Sequence, residues 1–175
     1  DVERSRGLGD VYKRQGKTVQ KNNLELDGLV FFREHRIRFQ QELARKGRGL
    51  PKPMDKRLDL FCGKLETLLD LKDEKPALLH GDLWSGNHFA SHDQVPYIFD
   101  PAVYFGLREA DLAMTEMFGR LSEEFYRAYH EVFPTEPGYT ERKDIYNLYH
   151  LLNHYNLFGG SYLEQADRIV RGFLD

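Results

Sequence analysis

The sequence predicts an α+β chain, mainly α-helical, with one short β-hairpin beside a polar loop. Three observations predict it: long stretches with apolar residues three and four apart, a single break in that rhythm between Ala77 and Asp100, and Gly or Pro punctuation between stretches. With 175 residues the chain can bury one core, so a single domain or lobe is expected. It is 41% hydrophobic and 30% charged with a net charge of -3, which gives no electrostatic reason to expect nucleic acid or a membrane surface as partner. Cys62 is the only cysteine, so neither an intrachain disulfide nor a cysteine-built zinc site is possible, and its place on a helical apolar face predicts a buried structural thiol. No apolar run approaches the ~18 residues of a membrane span, and the charged N-terminus does not look like a signal peptide. Cytoplasm is the expected compartment.

Residues 1–15 show neither helical nor strand periodicity. Gly7-x-Gly9-x-x-Tyr12 is similar to the start of a phosphate-cradling glycine loop, but the third glycine is missing and no strand with a phosphate-pairing Lys is read after it. The segment is expected to be a non-native leader, of the kind left by adapter or assembly sequence, which divides the chain into 1–15 and 16–175. From Asn23 an apolar stripe of Leu26, Leu29, Val30, Phe31, Phe32 and Ile37 reads as helix, closed by Gly47-x-Gly49-Leu50-Pro51. A second helix begins near Pro53, with Met54, Leu58, Phe61, Leu65, Leu68 and Leu69 in step, and extends toward Lys75-Pro76. Ala77-Leu78-Leu79 then leads into a loop marked by Gly81 and Gly86. His88-Phe89-Ala90 and Val95–Phe99 read as two strands around the polar turn Ser91–Gln94, a hairpin that brings Asn87 beside Asp100. Four helices follow, over Arg108–Gly119, Ser122–Val132, Thr140–Leu157 and Gly160 to about Gly172.

The chemistry is concentrated where the helical rhythm breaks. Leu78-Leu79-His80-Gly81-Asp82-Leu83-Trp84-Ser85-Gly86-Asn87, followed by a hydrophobic strand ending at Asp100, presents an H-x-D-x-x-x-x-N run and a second carboxylate in the order phosphoryl transfer requires. Asp82 is the candidate base that accepts the proton of an attacking hydroxyl. Asn87 and Asp100 are the candidate Mg2+ ligands that would bind the cation of ATP, since Mg2+ takes hard oxygen donors and needs few from protein. His80, His88 and His92 lack the spacing of a zinc site. His80 is expected to be structural, hydrogen-bonded to backbone or to Asp100. Trp84, the only tryptophan, either stacks on a substrate or anchors the loop. Asp111 is expected to fix the loop by hydrogen bonds, and Arg108 and Glu109 either line the site's mouth or form a solvated ion pair. The chain therefore reads as the catalytic half of a kinase-like fold, without the half that covers the nucleotide.

The run His80–Asn87, with its Leu-Trp-Ser-Gly filling, and the run Asp100–Met114 resemble the fructosamine kinases (ketosamine-3-kinases), a branch of the protein-kinase-like superfamily related to aminoglycoside phosphotransferases. Gly16–Gln20, Phe31–Arg36 and Leu152–Tyr162 agree, and the resemblance runs from about Gly16 to the C-terminus. It implies the C-terminal lobe of a protein-kinase-like fold and ATP- and Mg2+-dependent phosphorylation of the 3-hydroxyl of ketosamines. Small ketosamines or glycated proteins would be the partners, with release of the free amine after phosphorylation. Carried over, Asp82 is the base, Asn87 and Asp100 hold the metal, and Trp84 touches substrate. Val19 stands where the family often has Pro, and no N-lobe is read, so the chain alone is expected to have negligible kinase activity. Competing readings are a related kinase for an amino sugar, a choline-like alcohol or homoserine, a non-catalytic binding module, and, third, a metal-dependent hydrolase.

Overall fold

The apolar stripes of the N-terminal helical stretches are buried against the C-terminal helices, and that shared core sets the architecture. The computed structural model describes residues 12–15, 18–23, 25–71 and 74–175. The Gly7-x-Gly9 match and most of the expected leader lie outside the described residues. Strands β1 (Tyr12–Gln15) and β2 (Thr18–Lys21) pair antiparallel, with Tyr12 opposite Lys21 and Gln15 opposite Thr18. The sequence reading foresees neither strand. Strands of four residues rich in polar side chains carry no apolar alternation, so their signal is tertiary. Gln20, 1% exposed, donates to the Tyr149 hydroxyl at 2.8 Å and ties the hairpin to the core.

Helix α1 (Gly28–Phe31) starts where Asp27 Oδ1 accepts from the N–H groups of Leu29 (2.8 Å) and Val30 (3.0 Å). It passes into a π-helical segment, Phe32–Arg38, and then α2 (Phe39–Lys46). The sequence predicts one helix here, and the widened turn coincides with the complete burial of Arg36. Its guanidinium lies 4.0 Å from the Tyr104 ring centroid, 4.6 Å from that of Phe31 and 5.3 Å from that of Tyr149. It donates to Lys21 O (3.1 Å) and Asn22 Oδ1 (2.9 Å), so backbone, amide and ring faces hold this buried charge.

Helix α3 (Lys52–Leu69) has Pro53 in its first turn and buries Met54, Leu58, Phe61, Leu65 and Leu69. It ends at Asp70, whose left-handed backbone (φ 44°) closes the helix short of the expected Lys75-Pro76 boundary. Cys62 is buried on the same face, and burial pushes its thiol up to about 11.

Strand β3 (Ala77–Leu79), strands β4 (His88–Ala90) and β5 (Pro96–Ile98), and β6 (Tyr104–Gly106) form two antiparallel pairs, β3–β6 and β4–β5. The β4–β5 hairpin, with His88 opposite Ile98, is the one the alternation and polar turn predict. Strand β6 is not foreseen, because three residues are too few to show a period, and only its pairing with β3, Ala77 opposite Gly106 through Leu79 opposite Tyr104, defines it.

Helices α4 (Glu109–Met117), α5 (Glu123–Val132), α6 (Tyr139–Phe158) and α7 (Tyr162–Leu174) follow the sequence boundaries to within two residues. Helix α6 is the central column: Ile145, Leu148 and Leu152 are fully buried. Glu109 and Arg108 neither line a mouth nor form a solvated pair. Glu109 is fully buried and accepts from Arg142 at 2.6 and 2.8 Å and from Tyr146 at 3.0 Å, whereas Arg108 lies beside Glu74 at 3.5 Å. No helix among the described residues is long and apolar enough to cross a membrane.

Candidate active site

The β3–β6 pair fixes both ends of the polar loop. Leu79 is held against Tyr104, and one residue on, Ala102 N donates to His80 O at 2.8 Å. Gly81 follows with φ +81°, and a Cβ there would stand 2.3 Å from Ala102 O. Only glycine allows so close a backbone approach. Asp111, in the first turn of α4, accepts from His80 N at 2.6 Å through one oxygen and from Gly81 N at 2.9 Å through the other. Desolvation raises the Asp111 pKa above the usual carboxylate range, against the pull of these two N–H groups. Glu109 and Asp111 thus serve opposite sides of α4, one the core and one the loop.

His80 is buried and uses both ring nitrogens. Nε2 donates to the Phe99 carbonyl at 3.0 Å, which leaves Nδ1 to accept from Asp82 N at 3.3 Å. A carbonyl only accepts, so these two bonds define a neutral ring with its hydrogen on Nε2. Its partners are backbone groups on both sides of the site, the loop at Asp82 and the strand end next to Asp100.

Asn87 closes a 3-10 turn, Ser85–Asn87, and is 7% exposed. Its Nδ2 donates to Asp82 O at 2.9 Å and to Asp82 Oδ2 at 3.2 Å. Both amide hydrogens are therefore committed to Asp82, and Oδ1 is the oxygen left for a cation. The hairpin ladder runs one step past β4–β5, where Phe99 N donates to Asn87 O at 3.1 Å. Asp100 comes next, exposed, with φ 54° in the left-handed region that Asp tolerates better than most residues. An amide oxygen and a carboxylate on neighbouring strand ends are the hard donors Mg2+ takes, with phosphate and water completing its shell. Among the described residues no three His, Cys, Asp or Glu side chains converge on a metal position.

Trp84 anchors the loop and also faces open space. Its ring covers Gly86, where a Cβ would approach within 2.4 Å, and meets Phe118 edge-on at 6.4 Å. It remains 36% exposed and lines, with Asp82, a cavity of about 380 Å³ between the loop and the end of α6. Ser85 Oγ donates to Phe118 O at 2.8 Å and fastens the loop to the end of α4. Tyr149, whose pKa burial raises, feels the charges of both Arg36 and Asp82. Sequence reasoning missed Arg36, Tyr104 and Gln20 as supports of this region. The Phe31–Arg36 run was visible as part of a stripe and of the family resemblance, and nothing local marked Arg36 for burial.

Comparison with known proteins is consistent along the chain. The profile of the fructosamine kinase family matches residues 8–175. A probable ketoamine kinase of Vibrio parahaemolyticus is 51% identical over 156 residues, covering 89% of this chain and 52% of that protein. A probable ketoamine kinase of Synechocystis is 46% identical over 157 residues, with the same coverage of 89% and 52%. The chloroplastic protein-ribulosamine 3-kinase of Oryza sativa subsp. indica is 42% identical over 159 residues, 91% of this chain and 46% of that protein. The crystal structure of a protein assigned as a fructosamine-3-kinase in Thermobifida fusca superposes with a TM-score of 0.85 at 32% identity, over 93% of this chain and 56% of that one. The chain spans about half the length of the relatives it matches.

Proposed function

The chain belongs to the fructosamine kinase family, and on that footing we propose that it carries the catalytic loop of an enzyme that phosphorylates the 3-hydroxyl of ketosamines with ATP. Asp82 accepts the hydroxyl proton as the oxygen bonds to the γ-phosphorus, and the bond from that phosphorus to the bridging oxygen breaks to release ADP. Asn87 and Asp100 would hold Mg2+, which neutralises charge on the phosphoryl group. The observation that carries the reading is the Asn87 amide, which fixes the Asp82 carboxylate at 3.2 Å while its own oxygen stays available. His80 and Asp111 act through the backbone, clamping the loop at Asp82 and Gly81. A 3-phosphorylated ketosamine decomposes to release its amine, so the reaction would repair glycated amines or proteins.

The chain by itself should turn over ATP negligibly. It spans about half of its relatives, and the rim at Asp100, Phe99 and Ile98 is exposed. The test is a phosphorus NMR assay of fructosyl amines with ATP and Mg2+, run on this chain and on the full-length Synechocystis relative. Replacing the aspartate matching Asp82 by Asn should lower the relative's kcat by at least about a hundredfold. Phosphorylation of an amino sugar, choline or homoserine in preference would point to a related kinase, and undiminished turnover by the variant would remove Asp82 as base. Ketosamine binding by the relative with no phosphoryl transfer would favour a binding module.

A further inference from the structure

A second cavity, of about 480 Å³, opens between α4, α6 and α7, and no residue of the loop His80–Asn87 lines it. Lys143, Asp144, Asn147 and Leu151 face it from successive turns of α6. Its charges cancel, Glu116 and Asp144 against Arg120 and Lys143, but they are not equally committed. Glu116 accepts from Lys143 Nζ and from the Tyr139 hydroxyl, each at 2.8 Å. Arg120 pairs with Glu123 and lies 4.3 Å from the Tyr126 ring centroid. The exposed Asp144 carboxylate has no ion pair among the described residues. Asn147, 7% exposed, donates through Nδ2 to Ala113 O at 3.1 Å, while its buried Oδ1 accepts nothing. A buried carbonyl oxygen without a donor is costly, and here it sits on the wall of a cavity.

We propose that this cavity binds a free α-amino acid with an apolar side chain. A lining of zero net charge that carries both signs favours a ligand built the same way over a simple anion or cation. The unpaired Asp144 takes the ammonium, and Asn147 Oδ1 offers that group a second acceptor. Lys143 takes the carboxylate, since its bond to Glu116 uses one of three ammonium hydrogens. Met117, Leu151 and Ile169 supply the apolar wall for the side chain, and the volume suits a small molecule. The inference is independent of the reading of Asp82 as base.

The chain is titrated by calorimetry with leucine, leucinamide, 4-methylpentanoate and glycine; the last three lack in turn the carboxylate, the ammonium and the side chain. Leucine should bind at least roughly ten-fold tighter than each of the others. Nitrogen-15 NMR of the Asn147 and Gln165 side-chain amides locates the ligand, and both signals should move on saturation with leucine. Asp144→Asn should weaken leucine several-fold and leave 4-methylpentanoate unchanged. Asp144 is exposed and the replacement keeps its shape, so the core stays intact. Ile169→Ala should weaken leucine and leave glycine unchanged, with far-ultraviolet circular dichroism as the check on folding. Tighter binding of leucinamide would make this a cation site, and tighter binding of 4-methylpentanoate an anion site; either overturns the proposal. So does the absence of leucine binding, leucine binding that moves neither amide, or leucine binding undiminished by Asp144→Asn.

Discussion

Gly81 and Asn87 set the position of Asp82 from both sides, one through backbone conformation and the other through an amide. Substituting Gly81→Ala places a Cβ 2.3 Å from Ala102 O at φ +81°. The left-handed backbone alone costs roughly 1–3 kcal/mol in a residue with a Cβ, and the clash must also push β6 away. The variant should unfold at lower urea concentration, with a midpoint shift that multiplied by the slope m equals or exceeds that cost, read from Trp84 emission. An unchanged midpoint would mean that the loop has room the contact distances deny. Asp82, Asn87 and Asp100 were legible as a set because covalent proximity and one hairpin bring them together, so the sequence contains nearly all the geometry. The role of His80 was legible only in kind. Its two backbone partners, Phe99 and Asp82, lie on separate segments, and which atoms it bonds is decided by how the strand returns past the loop.

At the scale of elements, the π-helical segment Phe32–Arg38 and the β1–β2 hairpin depend on each other through Arg36. The guanidinium crosses from the segment to Lys21 O and Asn22 Oδ1, and Asn22 Nδ2 in turn donates to Val103 O at 3.0 Å beside β6. Arg36→Ala removes both bonds and the stacking on Tyr104, for a loss of about 2–4 kcal/mol from two charge-assisted hydrogen bonds net of partial resolvation. The effect should be local. Amide hydrogen exchange in β2 should rise by at least about ten-fold while the middle of α6 keeps its protection. Equal loss of protection in both elements would show that Arg36 supports the core as a whole rather than the hairpin. Helices α3, α4, α6 and α7 were legible because each buries apolar residues against a large common core, which imposes a 3.6-residue period over several turns, whereas α5 buries only Tyr126. β1, β2 and β6 were not, because strands of three or four residues are specified by their partners.

Across the whole molecule, the core of α6 includes a histidine that resists charging. His150 is fully enclosed, and burial, reinforced by the nearby His154 and Arg36, lowers its pKa to about 3. The unfolded chain takes up this proton near the ordinary histidine value of about 6.5. Below that pH the unfolded state binds more protons than the native one, so His150 favours unfolding increasingly as pH falls toward 3. The contribution to stability is fully present above the unfolded pKa and declines in the window below it, at up to about 1.4 kcal/mol per pH unit. Urea midpoints should therefore fall between about pH 7.5 and pH 4.5, and His150→Phe should flatten that fall while keeping ring volume in α6. An equally steep fall in the variant would assign the acid sensitivity to other groups.

The sequence by itself determined the helical frame, the β4–β5 hairpin, the polar loop from His80 to Asn87 and the resemblance to a kinase family, because each is written in short-range spacing. Only the tertiary structure decided the β3–β6 pairing, the π turn at Arg36, the burial of Glu109 against Arg142, and the cavity that Asp82 and Trp84 line beside the end of α6. These join residues far apart in the chain that bear no common local pattern. Burial and hydrogen-bond satisfaction are properties of the packed whole, so a polar residue such as Glu109 or Arg36 looks solvent-facing until its distant partner is in place.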